Sequence, residues 1–141
     1  MPLKAKQYIT QQDVRRRRDC VFVFGDNDTR KGRGGQAHAC RGEPNTIGVR
    51  LRKHAGDHPS ACWTDEEFAE NRAKIDEDVR AIRAALEAGK TVVFPKGGLG
   101  SGSIPIEEAA PNTARYLLEQ LAALKAIPGA VAQAPRETEP V

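Results

Sequence analysis

Residues 21–37, VFVFGDNDTRKGRGGQA, place groups that can do chemistry directly after an apolar run. Asp26 and Asn27 end this run, and a carboxylate beside an amide at such a point can bind a hydroxyl or activate a water molecule. The basic loop after them contains Gly34 and Gly35, and glycines let a backbone approach a ligand so that its N–H groups bind an anion. We therefore expect a phosphate-bearing ligand, with Asp26 as general base if that ligand is hydrolysed. The structural alternatives are a turn residue for Asn27 and a loop cap for Asp26.

A second glycine-rich loop follows a second apolar run. The segment KGGLGSGS, residues 96–103, comes after TVVFP and contains Gly97, Gly98, Gly100 and Gly102. Two such loops after two buried strands could clamp a diphosphate from both sides. The Walker pattern GxxxxGK[ST] and the dinucleotide pattern GxGxxG are both absent, so the loops belong to neither class of phosphate site.

The strands that carry these loops are predicted from apolar patterns. Continuous apolar runs indicate strands buried on both faces at 20–24, where Gly25 ends the run, and at 91–94. Alternating apolar residues indicate a weaker strand at 45–51. Strands that alternate with helices predict an α/β fold with a largely parallel sheet, and ligands of such sheets bind at the carboxyl edge.

Three helices are predicted around these strands. A short one covers 36–40, and a long amphipathic one begins at a capping box formed by Thr64 and Glu67 and ends at Gly89. Most of its acidic residues are interpreted as a solvated face with pairs along the helix, such as Glu70 with Lys74. The last helix covers 105–124, with Pro111 in its first turn or after a short preceding turn.

The chain is expected to form one domain of 10–127, preceded by an N-terminal segment, 1–9, and followed by a disordered tail, 128–141. It shows no pattern of a signal peptide and no apolar run long enough to span a bilayer, so no membrane partner and a cytoplasmic location are expected. Three cysteines are too few for a disulfide framework and fit reduced thiols. The oligomeric state is left open.

Basic residues are concentrated in the N-terminal half, although the net charge is only +3. Arg15 to Arg18 stand in a run, and residues 30–53 add seven more basic side chains. This asymmetry indicates an anionic ligand: a nucleotide, a phosphate or a nucleic acid. A solvated basic surface is the alternative, and it applies equally to Lys96 and Arg33 as phosphate contacts.

Three elements in the right order resemble the macro domain, a family that binds ADP-ribose. Asn27 matches the last residue of the family's NAAN-like strand end, and the segment Gly34-Gly35-Gln36-Ala37 follows at the family's spacing. Asp13-Val14 matches an Asp-Ile pair that lies before it. In FPKGGLGSGSIP, Pro95, Gly100 and Pro105 match the second loop of the family. The resemblance implies a three-layer α/β/α fold with a mixed, mostly parallel sheet.

The resemblance also implies roles for particular residues. Asp13 would hold the adenine amino group, and Asn27 would bind the distal ribose and, with Asp26, position a water molecule. The diphosphate and its surroundings would be held by the two loops: Gly25, Gly34, Gly35, Gln36, Ala37, Lys96, Gly97, Gly98, Leu99, Gly100, Ser101 and Gly102. The chain departs from the family at Gly25 and Asp26, and its second loop lacks a bulky aromatic residue, so the distal ribose is expected to be held differently.

We therefore expect a protein that binds ADP-ribose or a derivative, or a macromolecule that carries it, and that hydrolyses an ADP-ribosyl linkage if it is an enzyme. The alternatives are a reader of the nucleotide without catalysis and a basic protein that binds nucleic acid. No cofactor is expected. A metal site is not expected either, because the segment of His54, His58 and Cys62 contains Gly56 and Pro59 and matches no zinc-ligand spacing.

Overall fold

Four parallel strands form one sheet in the order β1-β4-β2-β3. The structure, a computed structural model, describes residues 3–6, 9–32, 37–56, 58–95, 99 and 105–127. The strands are β1 (Leu3–Lys6), β2 (Cys20–Asn27), β3 (Thr46–Arg52) and β4 (Thr91–Pro95). The α-helices are α1 (Gln11–Arg16), α2 (Ala37–Cys40), α3 (Phe68–Glu87), α4 (Ile106–Ala109) and α5 (Pro111–Ala123).

Side chains that alternate along the strands build a core on each face of the sheet. Val21 and Val23 of β2 pack with residues of α3 and α5 on one face. Phe22 and Phe24 pack with residues of α1 and α2 on the other face. The predicted α/β class is therefore confirmed, with helices on both faces. All strand pairs within the described ranges are parallel, and an antiparallel contact occurs there only as the single bridge between Arg52 and Cys62.

Strand β2 is three residues longer than the apolar run that predicted it. Gly25 does not end the strand but pairs with Val49, and Asp26 pairs with Arg50 of β3. A buried carboxylate in a strand is unusual unless it is paired, and nearby arginines pair with Asp26. Pairing with β3 and ion pairs with Arg30 and Arg41 thus accompany the extension of β2 beyond its apolar run.

The N-terminal segment belongs to the sheet rather than preceding the domain. Strand β1 pairs with β4 in parallel, from Leu3 with Val92 to Lys6 with Pro95. The sequence LKAK lacks the apolar run of a central strand, and only the partner strand shows that it is paired. The predicted tail, 128–141, lies outside the described residues.

The long helix and the last helix are both present with altered starts. The predicted apolar stripe of α3 is buried at Ile75, Val79, Ile82 and Leu86. Thr64 makes no side-chain cap bond, and a short 3₁₀ turn, Asp65–Glu67, precedes the helix instead. Pro111 occupies the first turn of α5, and the separate short helix α4 comes before it, as proline geometry requires.

Asp65 caps α5 instead of its own helix. Its carboxylate accepts hydrogen bonds from the N–H groups of Asn112 and Thr113, both at 3.0 Å, and from the Thr113 hydroxyl at 2.9 Å. We expect Asp65→Ala to lower the free energy of unfolding by about 1 kcal/mol, as for other lost N-caps. Urea unfolding measures the change. Glu66→Ala, an exposed neighbour, is the control, and equal losses in both variants would refute the capping role.

No helix in the described ranges is both long and apolar enough to cross a lipid bilayer.

Candidate functional site

A crevice is expected where the chain leaves β2 and β4. These two strands are parallel neighbours, paired from Cys20 with Thr91 to Phe22 with Val93. From β2 the chain continues to α2 on one face of the sheet, and from β4 it continues to α4 and α5 on the other face. Adjacent strands with connections to opposite faces mark a topological switch point, where ligands of α/β sheets bind. We call this place the switch-point crevice; both glycine-rich segments begin at its edge.

Asp26, the predicted general base, is hydrogen bonded at both of its carboxylate oxygens. Oδ1 accepts from Nη2 of Arg41 at 2.5 Å and from the N–H of Asn27 at 2.8 Å. Oδ2 accepts from Nη1 of Arg30 at 3.0 Å, with Nη1 of Arg41 at 3.3 Å. Burial raises the pKa of Asp26, but the hydrogen bonds from Arg41, Asn27 and Arg30 outweigh it and hold the pKa below its ordinary value. A carboxylate in this state is a weak base, so its arrangement suits a structural role better than proton transfer.

Arg30 links this carboxylate to the edge of the sheet. Its guanidinium donates to Asp26, to the carbonyl of Gly48 at 2.8 Å and to Oδ1 of Asp78 at 2.7 Å. Its backbone is left-handed, with a φ of 57°. Such a φ costs about 1 kcal/mol or more for a residue with a side chain, and the three hydrogen bonds compensate for it.

Asp78 is an exception to the solvated face that was predicted for most acids of α3. It is 4% exposed and accepts from the backbone N–H of Arg50 at 2.8 Å and from its Nε at 3.1 Å. The carbonyl of Gly48 and the N–H of Arg50 lie on the edge strand β3, and Arg30 and Asp78 therefore satisfy edge groups that would otherwise be open to another strand. The pair of Glu70 with Lys74 is replaced by a different contact, because Nζ of Lys74 lies 2.9 Å from Asp28.

Asn27 shapes the loop that follows it. Its Oδ1 accepts from the N–H of Thr29 at 2.9 Å and from the Thr29 hydroxyl at 2.5 Å, and its Nδ2 donates to the carbonyl of Lys31 at 2.8 Å. It is 5% exposed. These bonds form an Asx turn, which is the structural alternative considered for Asn27. The predicted ribose contact stays a prediction.

Four other predicted site residues are described. Gly25 is half-buried in β2, and Ala37 is buried at the start of α2. Asp13 forms a capping box with Thr10, in which its Oδ2 accepts the Thr10 N–H at 3.0 Å. Leu99 packs against the core on the α3 and α5 face.

The remaining predicted contacts lie outside the described residues: Gly34, Gly35, Gln36, Lys96, Gly97, Gly98, Gly100, Ser101 and Gly102.

Cysteine and histidine chemistry has little support in the described part of the chain. All three cysteines are buried, and burial together with Glu43 raises the pKa of the Cys40 thiol to about 12. A thiol in this state is a poor nucleophile. His54 and His58 bond to local partners, Ala55 and Ser60. No group of three potential metal ligands comes together among the described side chains.

Acidic partners pair with much of the basic charge. Arg15 and Arg18 both contact Glu43 at 3.0 Å, and Arg17 contacts Asp19 at 3.4 Å. Arg30, Arg41 and Arg50 pair with Asp26 and Asp78. The sequence did not identify these pairs, because it offers many arginines for each acidic side chain and does not show which of them lie close in the fold.

Comparison with known proteins gives a family but no activity. No curated protein and no solved structure matches the chain. One family model matches residues 4–120 of the 141, a span that contains Asp26, Asn27 and the arginines around them. The chain therefore belongs to DUF7831, a family of unknown function.

Proposed function

We propose that this protein binds ADP-ribose or a closely related nucleotide diphosphate at the switch-point crevice. The observation that carries the proposal is the topology: β2 and β4 are parallel neighbours, and the chain leaves them toward opposite faces. Each strand continues into a segment rich in glycine. The resemblance of these segments to the loops of macro domains supports ADP-ribose as the nucleotide.

The arrangement favours binding over hydrolysis. Asp26 would have to release a hydrogen bond from Arg41 or Arg30 before it could accept a proton from water. Asn27 uses both ends of its amide on the loop. Hydrolysis of an ADP-ribosyl linkage therefore remains the second part of the proposal, and a reader of the nucleotide is its direct competitor.

Nucleic acid as the partner has weaker support. Binding to a phosphate backbone requires cations that are free to displace counterions. Arg15, Arg17 and Arg18, in the run that suggested nucleic acid, are paired with acidic side chains. Strong binding to arbitrary oligonucleotides that falls steeply with salt would favour this candidate instead.

Titration calorimetry with ADP-ribose tests the proposal. We expect saturable binding to the wild-type protein and binding at least about tenfold weaker for Gly100→Glu, because a carboxylate in the second loop would oppose the diphosphate. Ala88→Glu is the matched control: it adds the same charge to an exposed position that precedes β4, at the opposite edge of the sheet. Absence of heat with wild-type protein would sink the proposal.

Catalysis is decided by a second measurement. Wild-type protein is incubated with an ADP-ribosylated protein, and released ADP-ribose is quantified. Release that Asn27→Ala abolishes indicates hydrolysis, whereas binding without release indicates a reader.

A further inference from the structure

The outward backbone groups of the edge strand β3 can be identified from its pairing with β2. The sheet order ends at β3, and the carbonyl of Asn45, just before this strand, accepts the N–H of Phe22 and therefore points toward β2. Successive peptide groups of a strand point to opposite sides, so the carbonyl of Gly48 and the N–H of Arg50 point outward. A further strand would bind at these two groups.

Two side chains take the places of one residue of such a strand. In a parallel pair, a residue donates its N–H to a carbonyl of the neighbouring strand and accepts with its C=O from the N–H two residues further along. Here Nη1 of Arg30 donates to the carbonyl of Gly48 at 2.8 Å, and Oδ2 of Asp78 accepts the N–H of Arg50 at 2.8 Å. Nη2 of Arg30 donates to Oδ1 of Asp78 at 2.7 Å and so joins the donor to the acceptor. The ion pair thus reproduces both backbone hydrogen bonds of a strand residue.

Both members of this ion pair are held in place by further contacts. Nη1 of Arg30 also donates to Asp26 at 3.0 Å. Asp78 is 4% exposed and accepts from Nε of Arg50 at 3.1 Å. A Cβ at Gly48 would lie 3.1 Å from Nη1 of Arg30, so the glycine leaves room for the guanidinium at the edge. The pair is therefore a fixed part of the edge, unlike an ion pair between two mobile surface side chains.

We infer that the Arg30–Asp78 pair closes this edge of the sheet and prevents β3 from pairing with β3 of a second copy of the chain. Open edge strands are templates for pairing between molecules, and proteins commonly protect them with charged side chains. The inference concerns association of the protein and does not depend on the proposed nucleotide.

A second copy is the partner that the sequence of β3 fits. The strand TIGVRLR contains three β-branched residues and no acidic residue. Two identical edges can pair in antiparallel orientation about a twofold axis. In a pairing centred on Gly48, Thr46 of one copy faces Arg50 of the other, so the arginines do not oppose one another. The edge would therefore be self-complementary if it were open.

The double variant Arg30→Ala/Asp78→Ala opens both outward groups of β3. It removes one positive and one negative charge, so the net charge stays at +3. Molar mass is measured by light scattering after size-exclusion chromatography, on protein that circular dichroism shows to be folded. We expect the mass of the variant to rise with protein concentration toward twice the wild-type value.

Two controls distinguish strand pairing from aggregation of unfolded chains. Arg17→Ala/Asp19→Ala also removes one ion pair at constant net charge, but these residues precede β2 rather than border β3, so the wild-type mass is expected. Thr46→Lys, added to the double variant, should restore the wild-type mass, because the new lysine would face Arg50 of the other copy.

Three results would overturn the inference. The first is a wild-type mass for the folded double variant at every concentration. The second is association that Thr46→Lys leaves unchanged, and the third is equal association in the Arg17→Ala/Asp19→Ala control.

Arg30→Ala alone is measured if the double variant does not fold. Asp26 then keeps its pair with Arg41, and Asp78 keeps its pair with Arg50, so this variant is expected to fold. It frees one of the two outward groups, and the same association is expected at higher protein concentration. A wild-type mass at the highest concentration measured would overturn the inference in this case.

Discussion

Asp26→Asn is expected to lower the free energy of unfolding by about 3 kcal/mol, the lower part of the range for breaking a buried ion pair. The variant leaves the guanidinium of Arg41 without a charged partner, removes one of the two carboxylates that pair with Arg30, and turns an amide N–H₂ toward both arginines. The loss stays at the low end because the Arg30 side chain is 41% exposed and can be hydrated. Urea unfolding measures it.

Asp19→Asn supplies the control for this substitution. Asp19 pairs with Arg17, but its side chain is 71% exposed. Solvent screens an exposed pair, so a much smaller change than for Asp26→Asn is expected. Equal changes in the two variants would contradict the structural role of Asp26. Unchanged stability with lost turnover would return Asp26 to the role of general base.

The pH dependence follows from the same hydrogen bonds. Because the pKa of Asp26 is lowered in the folded state, its contribution to stability is complete above its unfolded pKa of about 3.9 and is lost as the pH falls through the folded value. Wild-type protein should therefore lose more stability than Asp26→Asn between about pH 7 and about pH 3. Parallel losses in the two proteins would show that Asp26 does not carry this acid sensitivity.

Gly48→Ala is expected to lower the free energy of unfolding by about 2 kcal/mol through overpacking. A Cβ at this position would lie 2.5 Å from Oδ2 and 2.9 Å from Cβ of Asp26, and 3.1 Å from Nη1 of Arg30. The contact with Cβ cannot be relieved by rotation of the Asp26 side chain. Asp26 must move with its backbone, away from its arginines.

Gly89→Ala is the control for Gly48→Ala. It measures the general cost of replacing a glycine without the steric clash that occurs at Gly48. Gly89 has a φ of +84°, but no atom lies within 4 Å of its added Cβ, so only backbone strain of about 1 kcal/mol is expected. The dependence of the free energy of unfolding on pH distinguishes the two variants further. Gly48→Ala should share the flattened pH profile of Asp26→Asn, while Gly89→Ala should keep the wild-type profile. A wild-type profile for Gly48→Ala would show that the alanine is accommodated without displacing Asp26.

The end of β2 takes part both in the stability of the fold and in the proposed ligand site. Asp26 and Asn27, which the sequence suggested as catalytic, form bonds that hold the following loop. The loop conformation, with Arg30 left-handed, depends on Asp26 of β2, on Arg41, which follows α2, and on Asp78 of α3. Substitutions in this group should therefore be judged by folding and by ligand affinity together.

The apolar patterns were sufficient to predict the main elements. Runs of β-branched and aromatic residues predicted the central strands at 20–24 and 91–94, because strands buried on both faces need them. The stripe of α3 predicted its buried face, because helical periodicity places such residues on one side. Their order predicted a parallel sheet with both glycine-rich segments at its carboxyl edge.

Only the tertiary structure decided how the charges are used. The sequence showed an excess of basic residues in the N-terminal half, but ion pairs form between residues as distant as Arg30 and Asp78, and local patterns carry no record of such partners. The cap that Asp65 provides for α5 and the pairing of β1 with β4 also join residues distant in sequence, so local patterns did not predict them. Spacing along the chain thus predicted the main elements and the edge of the sheet at which we expect a ligand. Packing determined that Asp26, Asn27 and Arg41 support that edge.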